Sequence, residues 1–149
     1  LRPWFTNISK RQVKSPKIYF RDSGLLHTLL DINNLFELQR NPKLGASWEG
    51  FALEQIIRYH DPDAEECYFW ATHSSAELDL LLVKGNKRFG FEFKYTDAPT
   101  LTKSMHTALA DLELTNLTVI YPGVRTYWLH EKVNVTNLIS YIGNEEGKI

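Results

Sequence analysis

The stretch AELDLLLVKGNKRFGFEFKY, residues 76–95, decides the fold. Two runs of alternating apolar and polar residues flank Gly85-Asn86, a pair suited to a tight hairpin turn. The first predicted strand is Ala76 to Lys84 and the second Lys87 to Tyr95. With a two-residue turn, Lys84 lies opposite Lys87, and the same register sets Asp79 opposite Glu92 and Glu77 opposite Lys94. Side chains alternate along a strand, so Glu77, Asp79, Glu92 and Lys94 are expected on one face. Phe89, Phe91, Phe93 and Tyr95 then occupy the other face as core. A one-residue slip in the turn would stagger these pairs without changing their order.

Opposed carboxylates repel, and a hard divalent cation with oxygen ligands is their natural counter-ion. Asp79 sits inside Leu78-Asp79-Leu80-Leu81-Leu82, an apolar setting for a charge. Lys94 is placed to hold a water near such an ion. The plainer alternative pairs Glu77 with Lys94 on the surface and leaves Asp79 and Glu92 solvated.

Upstream, Ser47 to His60 reads as a strong helix ended by Asp61-Pro62. On a wheel of about 100° per residue, Ala52, Leu53, Ile56 and Ile57 fall within roughly 80° of Glu49, while Glu54 and Arg58 fall on the far side. Glu49 therefore occupies the face that buries, where a carboxylate needs a metal, a cation or an amide donor. Alternatively it remains wet in the first turn, favoured by the helix dipole.

Further out, Asp22-Ser23 caps a helix through Leu25, Leu26, Leu29 and Leu30, and a short helix follows from Asn34 to Leu38. Strands are predicted over Cys67–Ala71, Leu117–Tyr121 and Thr126–Leu129, with helices from Thr100 to Leu112 and from Val135 to Ile142. The order helix, three strands, helix, strand gives an α/β fold with a central mixed sheet flanked by helices. Residues 1–21 carry Arg2, Lys10, Arg11, Lys14, Lys17 and Arg21 with no acid, and read as a basic arm or linker. The folded domain is expected over 22–149.

Composition narrows the functions. The 149 residues are 43% apolar and 23% charged with a net charge of -1, which argues against a disordered chain and against coating nucleic acid by bulk charge. Lys84, Lys87, Arg88 and Lys103 are the candidates for local phosphate contacts. Cys67 is the lone cysteine, which excludes an internal disulfide and suits a reducing compartment, so a cytoplasmic location is expected. No run approaches the roughly 18 apolar residues of a membrane helix, so no membrane partner is expected. The five histidines show no metal-ligand spacing, although His60 shares the face of Glu49. Trp4, Trp48, Trp70 and Trp128 read as core.

Glu49 on a helix, then Asp79, then Glu92-Phe93-Lys94 across a hairpin resembles the PD-(D/E)XK nuclease superfamily. More narrowly, Lys17-Ile18-Tyr19-Phe20-Arg21-Asp22-Ser23-Gly24-Leu25-Leu26, Trp48-Glu49-Gly50-Phe51, Ala76-Glu77-Leu78-Asp79 and Phe91-Glu92-Phe93-Lys94 resemble the C-terminal domain of a prokaryotic family of AAA-type ATP-binding proteins, a domain catalogued as of unknown function. The resemblance implies a restriction-endonuclease-like core. It also implies Mg²⁺ or Mn²⁺ held by Asp79, Glu92, the Phe93 carbonyl and Glu49, with Lys94 orienting water for hydrolysis of DNA. Members often carry an arginine after the aromatic strand, where this chain has Phe69-Trp70-Ala71. No Gly-x-x-x-x-Gly-Lys-Ser/Thr occurs, the nearest Gly-Lys being Gly147-Lys148-Ile149, so ATP enters only through an ATPase domain expected upstream of Leu1. The rival expectation is a non-catalytic module that binds DNA or protein for that ATPase. A third is an autoinhibitory or docking domain whose acids close a structural ion site.

Overall fold

The capping residues set where most helices start. In the computed structural model, which describes residues 1–5, 12, 15–144 and 148–149, the Asp22 carboxylate accepts from the Leu25 N–H at 2.9 Å and opens α1 (Ser23–Leu29) after an edge strand β1 (Arg2–Pro3). Asn34 accepts from the Glu37 N–H at 3.0 Å and opens α2 (Leu35–Arg40). Both are side-chain caps that satisfy an otherwise orphaned amide. Helix α3 (Leu44–His60) has no side-chain cap and starts three residues before the predicted Ser47; Asp61, left-handed at φ 47°, ends it.

Strands β2 (Cys67–Ala71), β3 (Glu77–Lys84) and β4 (Lys87–Phe93) form an antiparallel meander, with Gly85 at φ 57° in the turn as glycine permits. Lys84 pairs with Lys87, so the expected register holds as far as Leu80 opposite Phe91. Then come α4 (Lys103–Asp111), β5 (Asn116–Tyr121), β6 (Tyr127–His130), β7 (Val133–Asn137) and α5 (Leu138–Ile142). The seven strands order as β1-β2-β3-β4-β5-β7-β6, with β4–β5 and β5–β7 parallel, so the sheet is mixed.

Each face has its own core. Helix α3 lays Ala52, Leu53 and Ile56 over Leu80, Leu82, Phe91, Phe93 and Ile120. Helix α4 lays Met105 and Ala108 over Leu78, Leu81, Val119, Val133 and Val135 on the other side. Among the described residues no helix is long and apolar enough to cross a membrane.

Two expectations are corrected here, at the closing helix and at Glu54. The helix expected from Val135 begins only at Leu138, and Val133 to Asn137 is a strand, because Val133 and Val135 alternate into the core and Asn137 caps α5 by accepting from the Ser140 N–H at 2.8 Å. The described part of the basic arm docks on the sheet. Arg2 and Pro3 pair with β2, the Lys17 N–H donates to the Leu1 carbonyl at 3.1 Å, and Leu1 and Tyr19 pack on the α3-side core. Lys10, Arg11 and Lys14 lie outside the described residues. Glu54 is buried instead of facing water, because the arm brings Arg21 over it. The Arg21 and Arg58 Nε atoms each lie 3.0 Å from its carboxylate.

Gly123 shows how tightly the β5 end is packed. A Cβ there would come within 2.1 Å of the Tyr121 ring, whose hydroxyl bonds both the N–H and the carbonyl of Arg125. Gly123→Ala should therefore displace that ring and cost about 1–3 kcal/mol in a urea melt. A melt identical to wild type would show that the turn gives way freely.

Candidate active site

The acids gather where two strands part. Beyond Leu80 and Phe91, β3 stays with β2, pairing Leu78 with Trp70 and Glu77 with Ala71. Strand β4 stays with β5 instead, pairing Glu92 with Val119 and Phe93 with Ile120. Within β3, the three steps from Leu81 to Leu78 answer two steps on β2, from Tyr68 to Trp70, so a bulge falls at Asp79–Leu80. Bulges re-aim side chains. Here the Asp79 carboxylate takes the place of a backbone acceptor and receives the Phe93 N–H at 3.1 Å. The next amide, Lys94, donates to the Ile120 carbonyl at 3.0 Å, and the Tyr95 N–H donates to Glu49 Oε1 at 3.2 Å. Helix α3 and strand β3 are thus both fastened to the residues that follow Glu92.

Lys94 is the counter-ion at the centre. Its ammonium lies 2.8 Å from Glu92 Oε2 and 3.9 Å from Asp79 Oδ2. Glu92 is 4% exposed, and its Oε1 has no hydrogen-bond partner among the described residues. An unpaired buried carboxylate oxygen is costly. Burial first, and the neighbouring Asp79 second, push the Glu92 carboxyl up to about 8, with Lys94 offsetting only part of this. Glu49 is also raised, by burial and then by Asp79, against the lowering bond from the Tyr95 N–H. Burial pulls the Lys94 ammonium down, but Glu92, Asp79 and Glu49 outweigh it and leave Lys94 raised. The cluster therefore resists ionising its acids together, and Lys94 offsets only part of their repulsion.

Two residues that the site expectations omitted face the same cluster. The Tyr19 phenol is pushed up to about 12 by burial and then by Asp79, Glu49 and Glu92. Lys17 is lowered by burial while Asp79 and Glu92 hold it up, and its ammonium is paired with Glu77. Their signal in the sequence is the acid-free, lysine- and arginine-bearing arm itself. Glu77 is consequently not the partner of Lys94. The bulge shifts the alternation of β3 by one residue, so Leu78 joins the face of Leu81 and Glu77 turns towards Lys17.

Of the predicted phosphate contacts, Lys84, Lys87 and Arg88 lie away from the acids and Lys103 lies at their end of the sheet. Lys84 and Lys87 flank the hairpin turn, five residues along their strands from Asp79 and Glu92, or about 17 Å away. Lys84 is tied to Glu66 at 2.9 Å, and Arg88 bonds the Leu112 carbonyl at 2.8 Å and lies over the Trp4 ring. Lys103 opens α4, whose next residue, Ser104, bonds both the N–H and the carbonyl of Glu77, so it sits at the acid end. His60 is core: its Nε2 lies 3.0 Å from the Tyr141 hydroxyl, and burial lowers it to about 4. Among the described residues, no group of three or more His, Cys, Asp and Glu side chains is arranged to hold a metal ion. The oxygens drawn together here are those of Asp79 and Glu92, with Glu49 fastened further along the chain at the Tyr95 N–H.

A family profile described as a domain of unknown function, DUF4143, matches residues 44–141. The chain belongs to this family. The DUF4143 stretch runs from α3 into α5 and contains Glu49, Asp79, Glu92 and Lys94. A second profile, also a domain of unknown function, DUF8612, matches residues 1–35 and contains Lys17 and Tyr19. The charge cluster is thus assembled from both matched stretches. The chain is 50% identical over 133 residues to Uncharacterized protein Rv2008c of Mycobacterium tuberculosis and to Uncharacterized protein Mb2031c of Mycobacterium bovis. Those alignments cover 89% of this chain and 30% of each relative, so the chain spans under a third of their length. No solved structure matches.

Proposed function

We propose that this DUF4143 chain is a PD-(D/E)XK-type module that hydrolyses phosphodiester bonds of DNA with a divalent metal ion, Mg²⁺ or Mn²⁺. The observation that carries the reading is the buried Glu92, whose unpartnered Oε1 lies in a cluster with Asp79 and Lys94 where β3 and β4 part. A hard cation is the group that such an oxygen set lacks. Asp79, Glu92 and the Phe93 carbonyl would hold it, with Glu49 reaching it directly or through water. The ion, when bound, polarises the scissile phosphate and acidifies water. Lys94, released from Glu92, orients the attacking water and steadies charge developing on the phosphate. Lys17 and Tyr19 border the same space and supply donors to the phosphate. The length of the relatives beyond the aligned part leaves room for an AAA-type ATPase, through which ATP would act, and the whole protein would work in the cytoplasm.

A second reading rests on the same lysine. The Glu92–Lys94 pair at 2.8 Å already gives the acid a counter-ion, as a non-catalytic module for DNA or a protein partner would need. The test incubates the chain with linear, branched and single-stranded DNA in Mn²⁺. The hydrolytic reading expects cleavage that Glu92→Ala abolishes. Absence of cleavage on every substrate selects the scaffold, and equal cleavage by Glu92→Ala would contradict a hydrolytic site at Glu92.

A further inference from the structure

Away from the acids, the β5–β7–β6 half of the sheet shows a polar side where α3 does not reach. Leu117, Val119, Val133 and Val135 enter the α4 core, so the alternating Asn116, Thr118, Asn134 and Thr136 face the opposite way. They floor a cleft of 710 Å³, a size suited to a small ligand. Thr118 and Thr136 are 2% and 5% exposed, so this floor is recessed rather than an ordinary wet sheet face. The Thr118 hydroxyl donates to Asn134 Oδ1 at 2.9 Å, so the Asn134 amide nitrogen, a donor, has no hydrogen bond among the described residues.

The walls are basic and aromatic. Lys84, Lys87 and Lys148 line the cleft, and among the described lining residues none is acidic. Lys84 is held by Glu66, whereas Lys87 has no ion pair among the described residues. Trp128 is 66% exposed, contrary to its expected place in the core, and pairs across the strands with Asn134. An open indole beside amide donors and lysine ammonium groups matches a flat, hydrogen-bonding ring attached to an anion.

We propose that this cleft binds a nucleotide, either free or as one unit of a single strand. Its base stacks on Trp128, its base edge meets the amides of Asn116 and Asn134, and its phosphate lies on Lys87 and Lys148. The cleft is a second site, about 17 Å along β4 from Glu92 at its Lys87 wall, and it does not depend on the hydrolytic reading.

The test measures anisotropy of a labelled short oligo(dT) on the chain without metal, with unlabelled AMP and inorganic phosphate as competitors. Trp128→Ala should weaken oligo(dT) binding by about five- to a hundredfold. Lys87→Glu should weaken it and lower the salt slope by about one. Both positions are exposed, and thermal melts confirm that the variants fold. Competition by AMP at a concentration similar to that of the oligomer's own nucleotides identifies a free nucleotide as the source, and weak competition identifies the strand. The proposal is overturned if neither oligo(dT) nor AMP binds, if phosphate alone competes as well as AMP, or if both variants bind like wild type.

Discussion

Glu92→Gln should make the metal-free protein more stable at pH 8 and flatten its stability between pH 6.5 and 8. The Glu92 carboxyl is raised from 4.5 to about 8, chiefly by burial. Between those values the unfolded chain has released a proton that the folded chain keeps, so wild-type stability falls as pH rises through this window and levels off above about 8. His60 acts in the opposite sense. Its folded value of about 4 lies below the ordinary 6.5, so its contribution is present above 6.5 and is lost as pH falls towards 4. The two effects oppose one another from 4.5 to 6.5, which leaves 6.5 to 8 as the window that reports Glu92. Across those 1.5 pH units the loss is about 2 kcal/mol, at about 1.4 kcal/mol per unit. Glutamine cannot ionise and still offers an oxygen to Lys94, so urea melts of Glu92→Gln should show little slope there. A slope equal to wild type would mean that Glu92 is ionised in the folded protein at neutral pH.

Lys94→Ala should lower metal-dependent DNA cleavage by about a hundred- to thousandfold while leaving metal-induced stabilisation in place. The lysine acts on water and phosphate, where loss of one well-placed donor costs this much. It is not an ion ligand, and its removal leaves both carboxylates facing the ion. Without its ammonium the Glu92 carboxyl rises further, so the comparison belongs above pH 8, where the acid is ionised. At a metal concentration about a hundred times the dissociation constant, both proteins should gain about 2.7 kcal/mol. Should Lys94→Ala lose cleavage and metal-induced stabilisation together, the lysine holds the site's structure instead of serving the reaction.

Much of this arrangement was legible because its determinants are local. Gly85-Asn86 and the alternation on either side fixed the β3–β4 register, and Asp22 and Asn34 announced their helices. What escaped depended on distant partners. The bulge at Asp79 exists only against β2, and it is what turns Glu77 away from Lys94 towards Lys17. Glu54 lies opposite Glu49 on the wheel and looks solvated until Arg21 closes over it from the arm. Trp128 looks like core by residue type, yet it stands at the open edge of the sheet. Strand β7 is five residues running straight into α5, so its two-residue period is overwritten by the helical one.

Calorimetric titration of Mn²⁺ into the wild-type chain and into Asp79→Asn at pH 8 tests the metal-site claim most directly. The asparagine oxygen can still accept the Phe93 N–H, so the variant should fold, and relief of its repulsion with Glu92 should make it somewhat more stable without metal. The wild type is predicted to bind one ion with carboxylate-dependent heat, and Asp79→Asn to bind none in the same range. Silent titrations of the wild type, or equal binding by both proteins, would contradict a metal site at Asp79 and Glu92.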